Sequence, residues 1–411
     1  MTSSEPSREN RPTILLIGRH LPDVVEGDRG LRILQYLRSL SSLGTEADIV
    51  VCSDRVLRAE DVERCEKTVP CRRIQVLDPT DVGIFQRMSR HLAGVLPSRL
   101  AAGLESGLDV PLRWKHWMRR LLREVDYSAI VVLEPGLTPL CRRAAARSTR
   151  ILDLVDLGFD RGTSDGPWRR ANFQEIVEHV DAFDRVLVPT ETDARLWLQL
   201  GQTVPVSTLP YTGTGYSLER KGPQVRPPAV LLLSSDDPED RDAVRYFRRK
   251  VFPRVLERVP SACLRIFCPT ISEIDPSPDV ELFDSPEVLE RLFAESWVCV
   301  FPQRSGARAR SWITESLCHG KACVATPSAA YGFDPTVSSG LVVAPSDREL
   351  GETVIRTLVD DAHREGLEAD ARAWVKNAPG PLETKTLLAE VLALPAVRRF
   401  PAKPSRAVSH H

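Results

Sequence analysis

The richest chemistry in the chain lies in one stretch, Phe301-Pro-Gln-Arg-Ser-Gly-Ala-Arg-Ala-Arg-Ser-Trp-Ile-Thr-Glu315, which continues Ser-Leu-Cys-His-Gly320. A strand ends at Pro302. A polar loop with Gly306 and three arginines (Arg304, Arg308, Arg310) opens a helix that stops at Gly320. Arginines beside a helix N-terminus suit an anion, because the guanidinium fork and the unpaired backbone N–H groups both seek oxygen. Glu315, a turn and a half along that helix, suits bidentate binding of vicinal hydroxyls. A second, weaker candidate is His20-Leu-Pro-Asp-Val-Val-Glu-Gly-Asp-Arg-Gly30. Its Gly27 and Gly30 let backbone approach a ligand closely. Asp28 is placed to cap the helix that follows, Arg29 or Arg32 to hold an anion, and His20 and Asp23 to face a ligand.

These loops need elements to hold them. Thr13–Ile17 is wholly apolar and is followed by a helix with leucines at 31, 34, 37 and 40, then by a second strand over 47–52. Continuous apolar strands alternating with amphipathic helices predict parallel sheets covered on both faces. Strands are expected at 129–133, 150–154, 185–188, 229–233, 263–268, 280–283, 298–301, 322–326 and 341–344. Helices are expected at 136–147, 168–183, 193–200, 241–258, 286–296, 310–319, 347–360 and 363–376. Residues 208–228 hold four prolines and three glycines without apolar periodicity, and read as a hinge. The expected organisation is a disordered start (1–11), a first unit (12–207), the hinge, a second unit (229–378), a helix returning toward the first unit (379–400) and a flexible tail (401–411). In doubly wound sheets ligands bind beyond the strand C-termini, and phosphates favour helix N-termini.

Composition bounds the function. The 411 residues suit two or three domains at roughly 150 residues each. Net charge is −1, from 55 basic and 56 acidic side chains, which argues against a nucleic-acid coat. Nine cysteines form no Cys-x-x-Cys pair, which predicts reduced thiols, a cytoplasmic setting and no structural metal. The polar, acid-containing start does not read as a secretory signal, and no apolar run is long enough to span a bilayer. Positive charge gathers along 84–125, where Trp114, Trp117, Met118, Leu121 and Leu122 share one helical face and arginines occupy the rest. Such a helix packs on its domain or lies on an anionic membrane, which would make the protein peripheral at the inner face.

The chain resembles the GT-B glycosyltransferases, most closely the retaining enzymes of family 4. The resemblance runs over roughly 12–395. It is carried by the first glycine-containing loop (20–32), by Ile151-Leu-Asp-Leu-Val-Asp-Leu157, by Ala182-Phe-Asp-Arg-Val-Leu-Val-Pro-Thr190, by Asp242-Ala-Val-Arg-Tyr-Phe247 and by a donor signature over 306–326. It implies two Rossmann-like domains facing across a cleft. It also implies transfer of a sugar from a nucleotide diphosphate sugar to a hydroxyl of a glycan, lipid-linked or natural-product acceptor, with retention and without metal or cofactor, in a role such as bacterial polysaccharide biosynthesis. By position it assigns Arg310 to the donor diphosphate, with Gly306 and Arg308 beside it. Glu315 falls to the ribose or sugar hydroxyls, Gly27 and Gly30 to the diphosphate and acceptor, Asp156 to the acceptor side, and the neighbourhood of Asp284 and Ser285 to the base. Four positions depart from the pattern. Ala307 and Trp312 stand where an acid and a base are expected, Val155 replaces a histidine, and Ser234–Arg241 shows no obvious basic pair. These departures motivate two rivals, a GT-B-shaped binding or assembly protein without catalysis and a sugar-nucleotide epimerase using His20, Asp23, Asp156 or Asp160.

Overall fold

The computed structural model describes residues 12–53, 55–78, 110–141, 148–155, 180–213, 227–235, 238–268, 277–304, 310–333 and 339–392, with the backbone alone at Val25, Pro238 and Arg310. The expectations for 1–11, 84–109, 168–179 and 401–411, for most of the hinge (214–226) and the end of the returning helix (393–400), and for Asp156, Asp160, Gly306, Ala307 and Arg308, lie outside the described residues.

Two parallel sheets organise the chain. The first runs β3-β2-β1-β4-β5-β6-β7 and the second β10-β9-β8-β11-β12-β13. Strands β1 (Thr13–Gly18), β2 (Glu46–Cys52), β3 (Arg73–Leu77), β4 (Ala129–Val132), β5 (Thr149–Asp153), β6 (Arg185–Val188) and β7 (Val206–Thr208) build the first. Strands β8 (Ala229–Leu233), β9 (Cys263–Phe267), β10 (Val280–Phe283), β11 (Val298–Phe301), β12 (Cys323–Ala325) and β13 (Leu341–Val343) build the second. Strands β4, β8 and β11 are buried at every residue. That is why they read as unbroken apolar runs, since helices cover both faces of a parallel sheet. In each sheet the order reverses beside the opening strand, between β1 and β4 and between β8 and β11. Ligands of open α/β sheets collect at such reversals.

The helices are α1 (Gly27–Ser42), α2 (Ala59–Thr68), α3 (Leu112–Glu124), α4 (Glu191–Gln199), α5 (Pro238–Tyr246), α6 (Phe252–Arg258), α7 (Leu289–Glu295), α8 (Arg310–Cys318), α9 (Asp347–Val359), α10 (Asp361–Asn377) and α11 (Pro381–Val391). A π turn over Phe247–Val251 joins α5 to α6. Pro253 has no N–H to offer Arg249's carbonyl, and the regular ladder loosens just before it. The helix expected over 136–147 is a 3₁₀ turn, Pro135–Leu140, in its described part. Pro135 and Pro139 supply no N–H to an α-helical ladder there.

One apolar cluster joins the two units. Leu31, Leu34 and Leu37 of α1 belong to the same buried group as Leu231 and Leu233 of β8, Phe301 of β11, Trp312 of α8, and Leu388 and Leu392 in and beyond α11. Helix α11 lies along α1, with Lys385 donating to the carbonyl of Ser42 at 2.6 Å.

Candidate active site between the two sheet units

The loops after β1 and after β8 meet face to face. Gly27 opens α1 at φ +61°, a left-handed conformation that side chains rarely adopt, and a Cβ there would lie 2.8 Å from Ser235 Cβ. A side chain at 27 would therefore pry the two loops apart. Gly30 serves its own loop, since a Cβ there would lie 2.7 Å from Glu26 Cβ.

On the first unit's side, a web of charged groups fixes the loop at the β1–β4 reversal. His20 Nδ1 lies 2.8 Å from Glu26 Oε2, and Arg29 Nη1 donates to His20 Nε2 at 2.9 Å. Glu134, two residues past β4, accepts from the backbone N–H of Arg19 at 3.2 Å and pairs with its Nε at 3.3 Å. His20 Nε2 is 3.7 Å from Glu134. Burial alone would raise the Glu26 carboxyl's pKa, but the hydrogen bond to His20 and the charge and hydrogen bond of Arg55 hold it below the usual value. Asp23 accepts from Arg64 at 2.6 Å. His20, Asp23, Arg29 and Gly27 thus share one loop, tied by its own carboxylates.

Arg32 is not available for an anion. It is fully buried and forms a bidentate pair with Asp153 at the end of β5, at 2.8 and 3.1 Å. Burial by itself would pull its pKa down, and the Asp153 carboxylate more than reverses this. Tyr36 also donates to Asp153, at 2.8 Å. Arg32 Nη1 donates to the carbonyl of Leu209 at 2.6 Å, and Gln35 Nε2 to that of Pro210 at 2.7 Å. Helix α1 therefore pins the chain where it leaves the first sheet.

On the second unit's side, the loop after β8 is organised by an acid. Asp240, buried in α5, accepts from the backbone N–H of Ser235 at 2.9 Å, from its hydroxyl at 2.6 Å and from Gln303 Nε2 at 3.1 Å. Gln303 follows β11, so these contacts tie the β8 and β11 ends together. Trp312 is buried, edge-on to Phe267 with centroids 5.8 Å apart. Apolar packing fills that position in place of a second base. Arg304 faces out, pairing with Asp242 at 2.8 Å over the Tyr246 ring.

Glu315 lies deep on α8, 3.5 Å from His319 Nε2, whose ring stacks on Phe293 at 4.2 Å. Gly213 crosses just above, where a Cβ would stand 2.7 Å from Cys318 Cβ and 3.4 Å from Glu315 Oε2. Ser285 precedes the turn Pro286–Val288 and donates to the Glu287 carboxylate, which lowers that carboxyl's pKa. Asp284 precedes it. Among the described residues no group of three or more His, Cys, Asp or Glu side chains is placed to hold a metal.

The described part of helix α8 starts at Arg310, and its first turn meets the first unit. Asp28 Oδ1 accepts from the backbone N–H of Ser311 at 3.2 Å and from the Ser311 hydroxyl. The arrangement brings the β1 loop, the β8 loop and the α8 N-terminus to one seam, with Glu134, Asp240 and Gln303 behind it. Sequence reasoning passed over all three of these polar residues.

No family model matches the chain, and no curated protein sequence matches it. Solved structures do. An E. coli structure described as trehalose-6-phosphate bound with UDP-2-fluoro glucose is similar over 93% of this chain and 99% of that one, at TM-score 0.62 and 12% identity. A mutant of S. aureus TarM, in complex with Fondaparinux, alpha-GlcNAc-glycerol and UDP, is similar over 93% and 99%, at 0.67 and 11%. The pneumococcal O-GlcNAc transferase GtfA, in complex with UDP and GlcNAc, is similar over the same shares, at 0.66 and 10%. At these identities the likeness shows the fold, which is GT-B.

Proposed function

We propose that the chain is a glycosyltransferase that moves a sugar from a nucleotide diphosphate sugar to an acceptor hydroxyl on a carbohydrate or lipid-linked molecule. The observation that carries this reading is the seam itself. Both sheet reversals open onto it, and the first described turn of α8 reaches it through Ser311, whose backbone N–H donates to Asp28. As the glycosidic bond breaks, the leaving diphosphate gains negative charge. The reading assigns that charge to the first backbone N–H groups of α8 and to Arg308 and Arg310, since preorganised donors of this kind usually contribute most to such a barrier. The structural neighbours whose descriptions name UDP are consistent with such a donor. On this reading the arginines supply the countercharge without a metal, and the sugar is retained in configuration, as in family 4. A thermal-shift screen against nucleotide sugars tests it. Stabilisation by at least one supports the reading, and a flat response across the panel refutes it.

Glu315 is assigned to donor hydroxyls, supported by its place one and a half turns beyond Arg310. Glu315→Gln is expected to weaken donor affinity about tenfold, the loss of one charge-assisted hydrogen bond. Calorimetry checks it, and unchanged affinity removes the assignment.

A second reading, a GT-B-shaped binding protein without catalysis, draws on one specific observation. The Asp28 carboxylate stands at the α8 N-terminus, and Asp240 organises the β8 loop where a basic pair was sought. Nucleotide binding without sugar transfer would favour it.

Peripheral attachment to an anionic membrane is a further part of the proposal. In α3, Trp114, Met118 and Leu121 are buried in the domain, while Leu112, Arg113, Arg119 and Arg120 are exposed. No helix among the described residues is long and apolar enough to cross a membrane. Vesicles rich in phosphatidylserine are expected to retain the protein at low salt and release it at high salt. Equal recovery from neutral vesicles would count against the basic face.

A further inference from the structure

Helices α5 and α6, with the π turn between them, form one rod on the outer side of the second sheet. Phe247, Val251, Phe252 and Val255 bury one face of it in the apolar cluster that holds Val230 and Leu232 of β8. The opposite face lies in solvent, and the sequence fills it with cations. Arg245, Arg249, Lys250, Arg254 and Arg258 are all exposed, along about 20 Å of helix at about 1.5 Å per residue. None of the five pairs with a carboxylate among the described residues. The acids exposed on the same rod are Asp242, which pairs with Arg304 at 2.8 Å, and Glu257. Helix α9 packs beside α6 and gives the contrast. Its arginines are each answered by an acid four residues on, Arg348 by Glu352 at 2.7 Å and Arg356 by Asp360 at 4.0 Å. Arg241 and Arg245 in α5, and Arg254 and Arg258 in α6, instead repeat one sign at that spacing, where like charges disfavour a helix. An anionic partner offsets that repulsion.

Shape and composition select the partner. The outer face of a helix is convex and offers no groove to a polymer chain. The aromatic residues of the rod, Tyr246, Phe247 and Phe252, are buried, so none is presented for stacking on nucleotide bases, the usual means of holding a single strand. With a net charge of −1 the chain as a whole does not draw polyanions from a distance. The stripe acts within a Debye length, about 8–10 Å, and so answers to a dense negative surface in direct contact. We propose that this face binds the anionic headgroups of a membrane, giving the second unit a lipid surface of its own beside that of α3 in the first. It goes beyond the donor reading and does not depend on it. Each cation close to such a surface contributes about fivefold in partition, so three contribute about a hundredfold.

The test is flotation of the full chain with phosphatidylglycerol-containing vesicles and with pure phosphatidylcholine vesicles, at low and high salt. Wild type is compared with the triple variant Arg249→Gln, Lys250→Gln, Arg254→Gln, with the charge-conserving double variant Arg249→Lys, Arg254→Lys, and with an α3 triple, Arg113→Gln, Arg119→Gln, Arg120→Gln. Wild type is expected on the anionic vesicles at low salt and not on the neutral ones. The α5–α6 glutamine triple is expected to partition about a hundredfold less, and the lysine variant like wild type. Native circular dichroism is expected throughout, because glutamine is a good helix former and the change removes like-charge repulsion. Should the triple lose its native spectrum, Arg254→Gln against Arg254→Lys decides, with about a fivefold drop expected in the first and none in the second. Partition of the glutamine variants equal to wild type, with loss confined to the α3 triple, would place the contact on α3 alone and overturn the proposal. Wild type that ignores anionic vesicles would overturn it too, and if it then binds a duplex oligonucleotide or heparin, the face serves a soluble polyanion instead.

Discussion

Arg32→Met is expected to lower the unfolding free energy of the first unit by about 3–5 kcal/mol, the usual cost of removing one partner from a buried ion pair. The loss does not come from the missing attraction alone. Asp153 would be left charged and fully buried with its guanidinium donors gone, held by the Tyr36 hydroxyl, and the carbonyl of Leu209 would lose its guanidinium as well. The urea midpoint should fall accordingly. Arg32→Met combined with Asp153→Asn should recover most of the loss, because it removes the stranded charge. A single variant as stable as wild type would show that the pair does not carry the junction between α1 and residues 209–210.

Arg310→Ala is expected to reduce turnover at least about a hundredfold with native circular dichroism. Losing one preorganised partner of a developing oxyanion typically costs about 2–4 kcal/mol in barrier, and about 1.36 kcal/mol is a factor of ten in rate. The fold should survive, because the substitution falls at the first residue of α8, where alanine is a good helix former. The effect should appear in kcat as well as in kcat/KM, since the leaving group's charge is fully developed only as the bond breaks. Turnover within a few fold of wild type would remove Arg310 from the donor phosphates.

The sheets were legible because buried parallel strands have to be apolar on both faces. Val298–Phe301 and Ala229–Leu233 stand out from their surroundings for that reason. The two edge strands of the first sheet escaped, while those of the second, β10 and β13, were expected. Strand β3 mixes exposed and buried residues at the sheet edge beside β2, and the three residues of β7, at the opposite edge, are half-buried. The glycine loop and α8 were findable from residue type and position after a strand. Glu134 carried the same signal, standing two residues past β4, and was overlooked. Other features had no local signature. Arg32 stands next to Leu31 behind the glycine loop and reads as a cation free to hold an anion until β5 brings Asp153 beside it. Asp28 reads as a cap ahead of the helix, but α1 already starts at Gly27 and Asp28 lies inside its first turn; its partner on α8 is visible only once both units are folded.

The central claim is that the seam binds a nucleoside diphosphate. Calorimetric titration of the full chain with UDP, GDP and dTDP tests it most directly. Saturable one-to-one binding of at least one of them is expected, lost in Arg310→Ala; no heat of binding with any of the three would contradict the claim.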